Sequence, residues 1–187
     1  MQNAEMNSGL PSAAPAPSFD DPLGMISACH RRIERQLATL ARLQAHLPEH
    51  GSDDDARAAA RAILKYFDNA APNHHADEEQ SLFPRLLALR PPGVEGLLAT
   101  LHGEHAALAD GWRGLRLTLS GIAAGAGAAL SAADVAAITG AYAAHISRED
   151  GLLIPLARRT LDPAALAAIG REMADRRGVA FDAEAKR

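Results

Sequence analysis

An all-α fold, an up-down-up-down bundle of four helices with a short extra C-terminal helix, is predicted by three observations. Apolar residues recur at helical spacing over several long stretches, and no stretch alternates as a strand would. Alanine and leucine dominate while aromatic residues make up only 4% of the 187 residues. Proline- and glycine-rich breaks are short, and short links join antiparallel neighbours.

The elements follow in order. Residues 1–20, with Pro11, Pro15 and Pro17 among serine and alanine, read as a disordered tail. Helix α1 is expected to start at Asp21-Pro22, a cap followed by proline at the first helical position, and to end before Pro48. Helix α2 is expected to open at Ser52, with Asp55 three residues on, and to run toward Leu89 with a kink or break at Pro72 and Pro84. After the Arg90-Pro91-Pro92-Gly93 loop, α3 should cover about 94–120. Gly121 to Gly127 is a small-residue loop; Ser131 and Asp134 open α4, which runs to about Thr160. Asp162-Pro163 starts α5, to about Arg176, leaving 177–187 as a polar tail and 21–176 as the bundle.

Composition excludes several classes. The net charge is −4 with no basic tract, so nucleic acid is not an expected partner. No run approaches the ~18 apolar residues of a membrane span, and no basic segment precedes an apolar run as in a secretory signal. The single cysteine, Cys29, forbids an internal disulfide and fits a cytoplasmic setting.

Each core stripe is interrupted by histidine. On α1 the stripe is Ile26, His30, Ile33, Leu37, Leu40; on α3 it is Leu98, Leu101, His105, Leu108, Trp112, Leu115, Leu119. On α4 it is Val135, Ile138, Tyr142, His145, Glu149, Leu152, Leu156, and on α2 Ile63, Phe67 and Ala71 lead to His74, Glu78 and Leu82. Residues 74–84, His-His-Ala-Asp-Glu-Glu-Gln-Ser-Leu-Phe-Pro, and 145–155, His-Ile-Ser-Arg-Glu-Asp-Gly-Leu-Leu-Ile-Pro, are copies of one pattern. His74 matches His145, Glu78 matches Glu149, Glu79 matches Asp150, Leu82 matches Leu153 and Pro84 matches Pro155. A histidine and a carboxylate four apart share a helix face.

Buried carboxylates and imidazoles need one another or a cation. The candidate metal ligands are therefore His30, His74, Glu78, His105, His145 and Glu149. Four imidazoles and two carboxylates exceed a four-coordinate zinc site and suit two first-row ions with bridging carboxylates. Nitrogen and oxygen donors without thiolate favour iron, with manganese or zinc as substitutes. His102, on the α3 face beside His105, is a candidate additional ligand, and His75 and Glu79 lie on the shoulder of the α2 stripe as additional ligands or supports. Tyr142, one turn before His145, is placed to hydrogen-bond a bound oxygen. His46 and His50 are expected in solvent.

These elements together resemble the hemerythrin-like family, the HHE cation-binding domains, over about residues 21–160. His30 in His-Arg-Arg-Ile-Glu, the 74–84 element, His105 in Glu-His-Ala-Ala-Leu and the 145–155 element match in the family's order. The resemblance implies a non-haem di-iron centre bridged by the two glutamates and an oxo or hydroxo group. It further implies a vacancy for O2 or NO in a carrier, sensor or scavenger. The alternatives are a di-iron enzyme reducing peroxide or NO, and an iron store or donor for stress repair of iron centres. Oxygen-carrying members hold two histidines four apart on the third helix; here His102 and His105 are three apart.

Overall fold

The computed structural model describes residues 18–127 and 129–181. Among them there are helices and no strands. Helix α1 spans Pro22–His50, and its Asp21 cap accepts the Gly24 N–H at 2.9 Å. It does not stop before Pro48. Proline so near the end removes only one backbone bond, and Gly51, at φ +64°, closes the helix by donating to the Leu47 carbonyl.

Helix α2 runs over 54–89 without the expected break. Its cap is Asp53 rather than Ser52: one carboxylate oxygen accepts the Ala56 N–H at 2.8 Å while the other lies 3.0 Å from His46 Nε2. That second contact ties the α1–α2 corner, and His50 stacks on His46 at 4.1 Å, so neither ring is simply solvated. Two wide π-helical turns, Tyr66–Ala70 and Asp77–Leu82, precede Pro72 and Pro84. In each, the residue before the proline donates five residues back: Ala71 to the Tyr66 carbonyl and Phe83 to the Glu78 carbonyl. The wider turn makes room for a ring that would clash in a regular helix, so the helix continues instead of breaking.

Helix α3 spans Val94–Ala123, nearly a turn beyond the expected end. Helix α4 starts at Ala132 with Ser131 as its cap and reaches Thr160 through a third π turn, Glu149–Leu153, which precedes Pro155. There Ile154 donates to the Glu149 carbonyl. Helix α5, Pro163–Arg176, is capped by Asp162. Of the two expected tails, 1–17 and 182–187 lie outside the described residues. The adjoining residues are held: the Phe19 ring packs 5.4 Å from Phe181. The Phe19 carbonyl approaches Gly170 so closely that a Cβ there would collide with it.

Helix α1 packs on α2 and α4, and α3 packs on the same two, closing the bundle; α5 lies against α1 and the second π turn. The apolar core is divided. One cluster joins Leu40, Ile63, Phe67, Leu119 and Ile138. The other joins Ile26, Leu82, Leu101, Leu153 and Ile169. Between them, in sequence on every bundle helix, lie the histidines and glutamates. On α4 the stripe beyond Glu149 is Leu153 and Ala157, both fully buried, whereas Leu152 is 56% exposed and Leu156 only partly covered. The π turn adds a residue and shifts the face by one position, which overturns the expected Leu152 and Leu156.

Candidate metal centre

The first and fifth residues of each repeat copy lie one turn apart on α2 and α4, with His30 and His105 arriving from α1 and α3. All six predicted ligands are buried, none more than 4% exposed. His30 Nε2 lies 2.9 Å from Glu149 Oε2, and His145 Nε2 lies 3.1 Å from Glu149 Oε1. His105 Nε2 is 3.3 Å from Glu78 Oε2 and 3.6 Å from Glu149 Oε1; His74 Nε2 is 3.6 Å from Glu78 Oε1. Two overlapping groups result. His30, His74, Glu78 and Glu149 each offer a donor atom within 4.8 Å of the others, and so do Glu78, His105, His145 and Glu149. Both glutamates belong to both groups, the placement that bridging carboxylates need.

The six residues fit a pair of cations. The Nε2 atoms of His30, His74, His105 and His145 and all four carboxylate oxygens are buried without a hydrogen-bond partner. Leaving so many polar atoms unpaired costs several kcal/mol or more in total unless something satisfies them. Cations would do so, and imidazole with carboxylate is a donor set suited to iron.

The outer ring atoms explain why the lone pairs point inward. His105 Nδ1 lies 2.7 Å from Glu79 Oε1, His30 Nδ1 2.9 Å from Asp150 Oδ1, and His145 Nδ1 3.0 Å from Glu104 Oε2. In a neutral ring, an Nδ1–H donated to a carboxylate leaves Nε2 as the free base, facing the site. Arg148 pairs with the same Glu104, and Ser27 Oγ reaches Asp150 at 3.4 Å.

Titration follows the crowding. Burial, reinforced by the Glu149 charge, pushes Glu78 up to about 8. Glu149 is buried too, but the His105, His145 and His30 rings close beside it outweigh burial and hold it far below the carboxylate range. Burial also opposes charge on His105, yet Glu149, Glu78 and Glu79 carry it up to about 10. His74 is pushed well down by burial, and His75 down to about 3 for the same reason.

The four additional residues divide. Glu79 supports His105. His102 is 70% exposed, its Nδ1 3.1 Å from Glu79 Oε1, so it stands outside the site rather than in it. Turning from His105 by three residues swings the ring to the bundle's edge. His75 instead groups with His105 and His145, one donor atom from each within 4.8 Å. Tyr142 lies in the apolar cluster with its ring 5.6 Å from Phe67, and no hydrogen bond joins it to the six among the described residues.

Sequence reasoning missed Glu104, whose contact crosses from α3 to α4 and leaves no local signal. It also passed over Asp150 as a support, although the repeat aligned it with Glu79. A third omission is Asp77, fully buried beside Glu78 and gripped by Arg176 and by Arg177 at 2.6 and 3.0 Å. Arg176 also reaches Ser81, and Arg85 pairs with Glu172, so α5 clasps the whole π turn that carries Glu78.

The comparisons agree with this geometry. An uncharacterized protein of Haemophilus influenzae is 28% identical over 162 residues, covering 87% of this chain and 93% of the relative. The hemerythrin HHE cation binding domain matches residues 21–157, most of the chain. With its histidines and glutamates gathered as a cation-binding bundle requires, the chain belongs to the hemerythrin HHE cation-binding domain family.

Proposed function

We propose that this protein holds two iron ions in the bundle core and binds O2 or NO there, as a cytoplasmic carrier or scavenger. The observation that carries the reading is the pair of four-residue groups sharing both glutamates, with every inward donor atom unpartnered. His30 and His74 would hold one ion, His105 and His145 the other, with Glu78 and Glu149 spanning both. When bound, a ferrous pair supplies electrons and an open coordination position to a diatomic ligand; manganese or zinc would fill the site without that chemistry.

The chain's own part is preorganisation. Glu79, Asp150 and Glu104 fix the imidazole rings, and the apolar clusters on either side keep water away from the donors. No helix among the described residues is long and apolar enough to cross a membrane. A second reading, reduction of peroxide or NO, is favoured by one feature: exposed His102, Glu79 and buried His105 form a hydrogen-bonded line from solvent to the site. Such a line can carry a proton from solvent to Glu79, at the edge of the site, and reduction requires protons where simple binding does not.

Metal analysis with ultraviolet–visible spectroscopy on aerobically purified protein tests the proposal. Two irons per chain with near-ultraviolet oxo-bridge bands, lost in His74→Ala, are expected. Failure to take up iron on anaerobic ferrous reconstitution overturns it. Reversible spectral change with gas selects the carrier, turnover of peroxide or NO selects the enzyme, and rapid loss of iron to a chelator selects an iron donor.

A further inference from the structure

Three of the inward-facing histidines turn their outer nitrogen to a carboxylate, and a different group stands behind each carboxylate. Behind Glu79, on His105, is the His102 ring; behind Asp150, on His30, is the Ser27 hydroxyl. Glu104 is unlike both. Its Oε2 lies 3.0 Å from His145 Nδ1, and its Oε1 accepts from the Arg148 guanidinium. Ring, carboxylate and guanidinium thus form one line from α4 to α3 and back. A guanidinium is never deprotonated in a protein, so Arg148 is the permanent cation among the three backing groups.

Orientation alone does not account for this line. The matching histidine of the first repeat copy, His74, is fully buried with its Nδ1 unpartnered, so packing suffices to seat an imidazole there. The residue matching Arg148 is Asp77, which turns to α5 and not to a ring. What Glu104 adds is charge. A carboxylate that accepts the Nδ1–H makes the imidazole a stronger electron donor at Nε2. A guanidinium on the other carboxylate oxygen draws part of that charge to itself, and the pair is only about a third exposed, so solvent screens it incompletely.

We propose that Arg148 is a positioning residue that acts through Glu104 on His145 and holds the metal pair toward its reduced state. The inference rests on the two-iron reading above. A strongly donating imidazole favours the higher charge of an oxidised ion. A line that ends in a cation weakens that preference at the position of His145, and the reduction potential rises. The opposite follows from the line itself: without the Glu104 carboxylate the ring donates less, and without Arg148 it donates more. The two partners of one ion pair therefore pull the potential in opposite directions.

Spectroelectrochemical titration of the iron-reconstituted full chain, with iron content measured alongside, tests this. Arg148→Gln should lower the reduction potential, Glu104→Gln should raise it, and both should keep their iron. Arg148→Lys, which retains the charge, should stay near wild type. In the Glu104→Gln background, Arg148→Gln should shift the potential far less than it does alone, because its route to the ring is gone. A line that merely held the ring in place would move the potential the same way whichever partner was removed. An unchanged potential in Arg148→Gln, shifts of one sign in the two single variants, or an undiminished Arg148 effect without Glu104 overturns the assignment and leaves the two-iron reading intact. Loss of iron from any single variant shows a structural support instead and also overturns it. A wild type that takes up no iron sinks both.

Discussion

The two halves of the bundle, α1–α2 and α3–α4, build the site with the same parts and support it differently. In each half a histidine and a glutamate four apart stand on the second helix, and the next carboxylate crosses to the other half. Glu79 reaches His105, and Asp150 reaches His30. The glutamates cross as well, Glu149 toward His30 and Glu78 toward His105. Neither half can therefore assemble its donor group alone. The differences lie at the remaining repeat positions. Asp77, beside Glu78, is buried and clasped by α5, whereas its counterpart Arg148 is a third exposed and pairs with Glu104 inside the bundle. His75 faces two histidines where Ile146 packs in the apolar cluster. Parts that line the shared histidine–glutamate core are constrained alike; parts that hold those parts in place follow whatever each half packs against.

The largest effect should come from removing what the halves share. Glu149→Ala deletes the carboxylate that lies beside His30, His105 and His145, and metal analysis should find both positions empty, not one. Next is the register set by the third π turn. Leu153→Ala should cost about 2–5 kcal/mol in urea unfolding, whereas Leu152→Ala should stay within about 0.5 kcal/mol. Equal losses would show that α4 keeps a regular register there.

The two π-turn supports come third. Asp77→Ala leaves Arg176 and Arg177 without their buried partner and should destabilise by about 3 kcal/mol. Arg148→Ala, at a partly exposed pair, should cost no more than about 1 kcal/mol. Chemical denaturation of both variants measures the contrast, and iron release to a chelator should accelerate more in Asp77→Ala because α5 then loses its hold on the turn of Glu78. The smallest effect is on pH dependence. Glu78 is held up to about 8 and His105 up to about 10 without a cation, so both retain protons at neutral pH. Cation uptake must displace those protons, so affinity should rise as pH increases from 6 to about 8, with protons released on loading in unbuffered solution. Affinity independent of pH would show that neither group gives up a proton to the metal.

Much of this was legible in the chain. The caps Asp21, Ser131 and Asp162 act as read, because a cap is a contact within four residues. The six polar positions were legible for a related reason: a histidine or glutamate on an apolar stripe must be buried wherever the stripe is buried. Ser52 misled because three carboxylates follow it, and the choice of Asp53 was made by His46 across the corner. His102 misled because a helical wheel gives a direction but not the distance to the neighbouring helix.

The sequence by itself determined an all-helical bundle, the order of its elements and the six residues gathered in its core, since all of these follow from local periodicity and the cost of burying charge. Only the tertiary structure decided the rest. Three prolines are accommodated by π turns instead of breaks, and the α4 face consequently passes from Leu152 to Leu153. His75 turns inward while His102 stays in solvent. Helix α5 closes over Asp77. Each is a choice between local conformations of similar energy, and packing against another helix settles it.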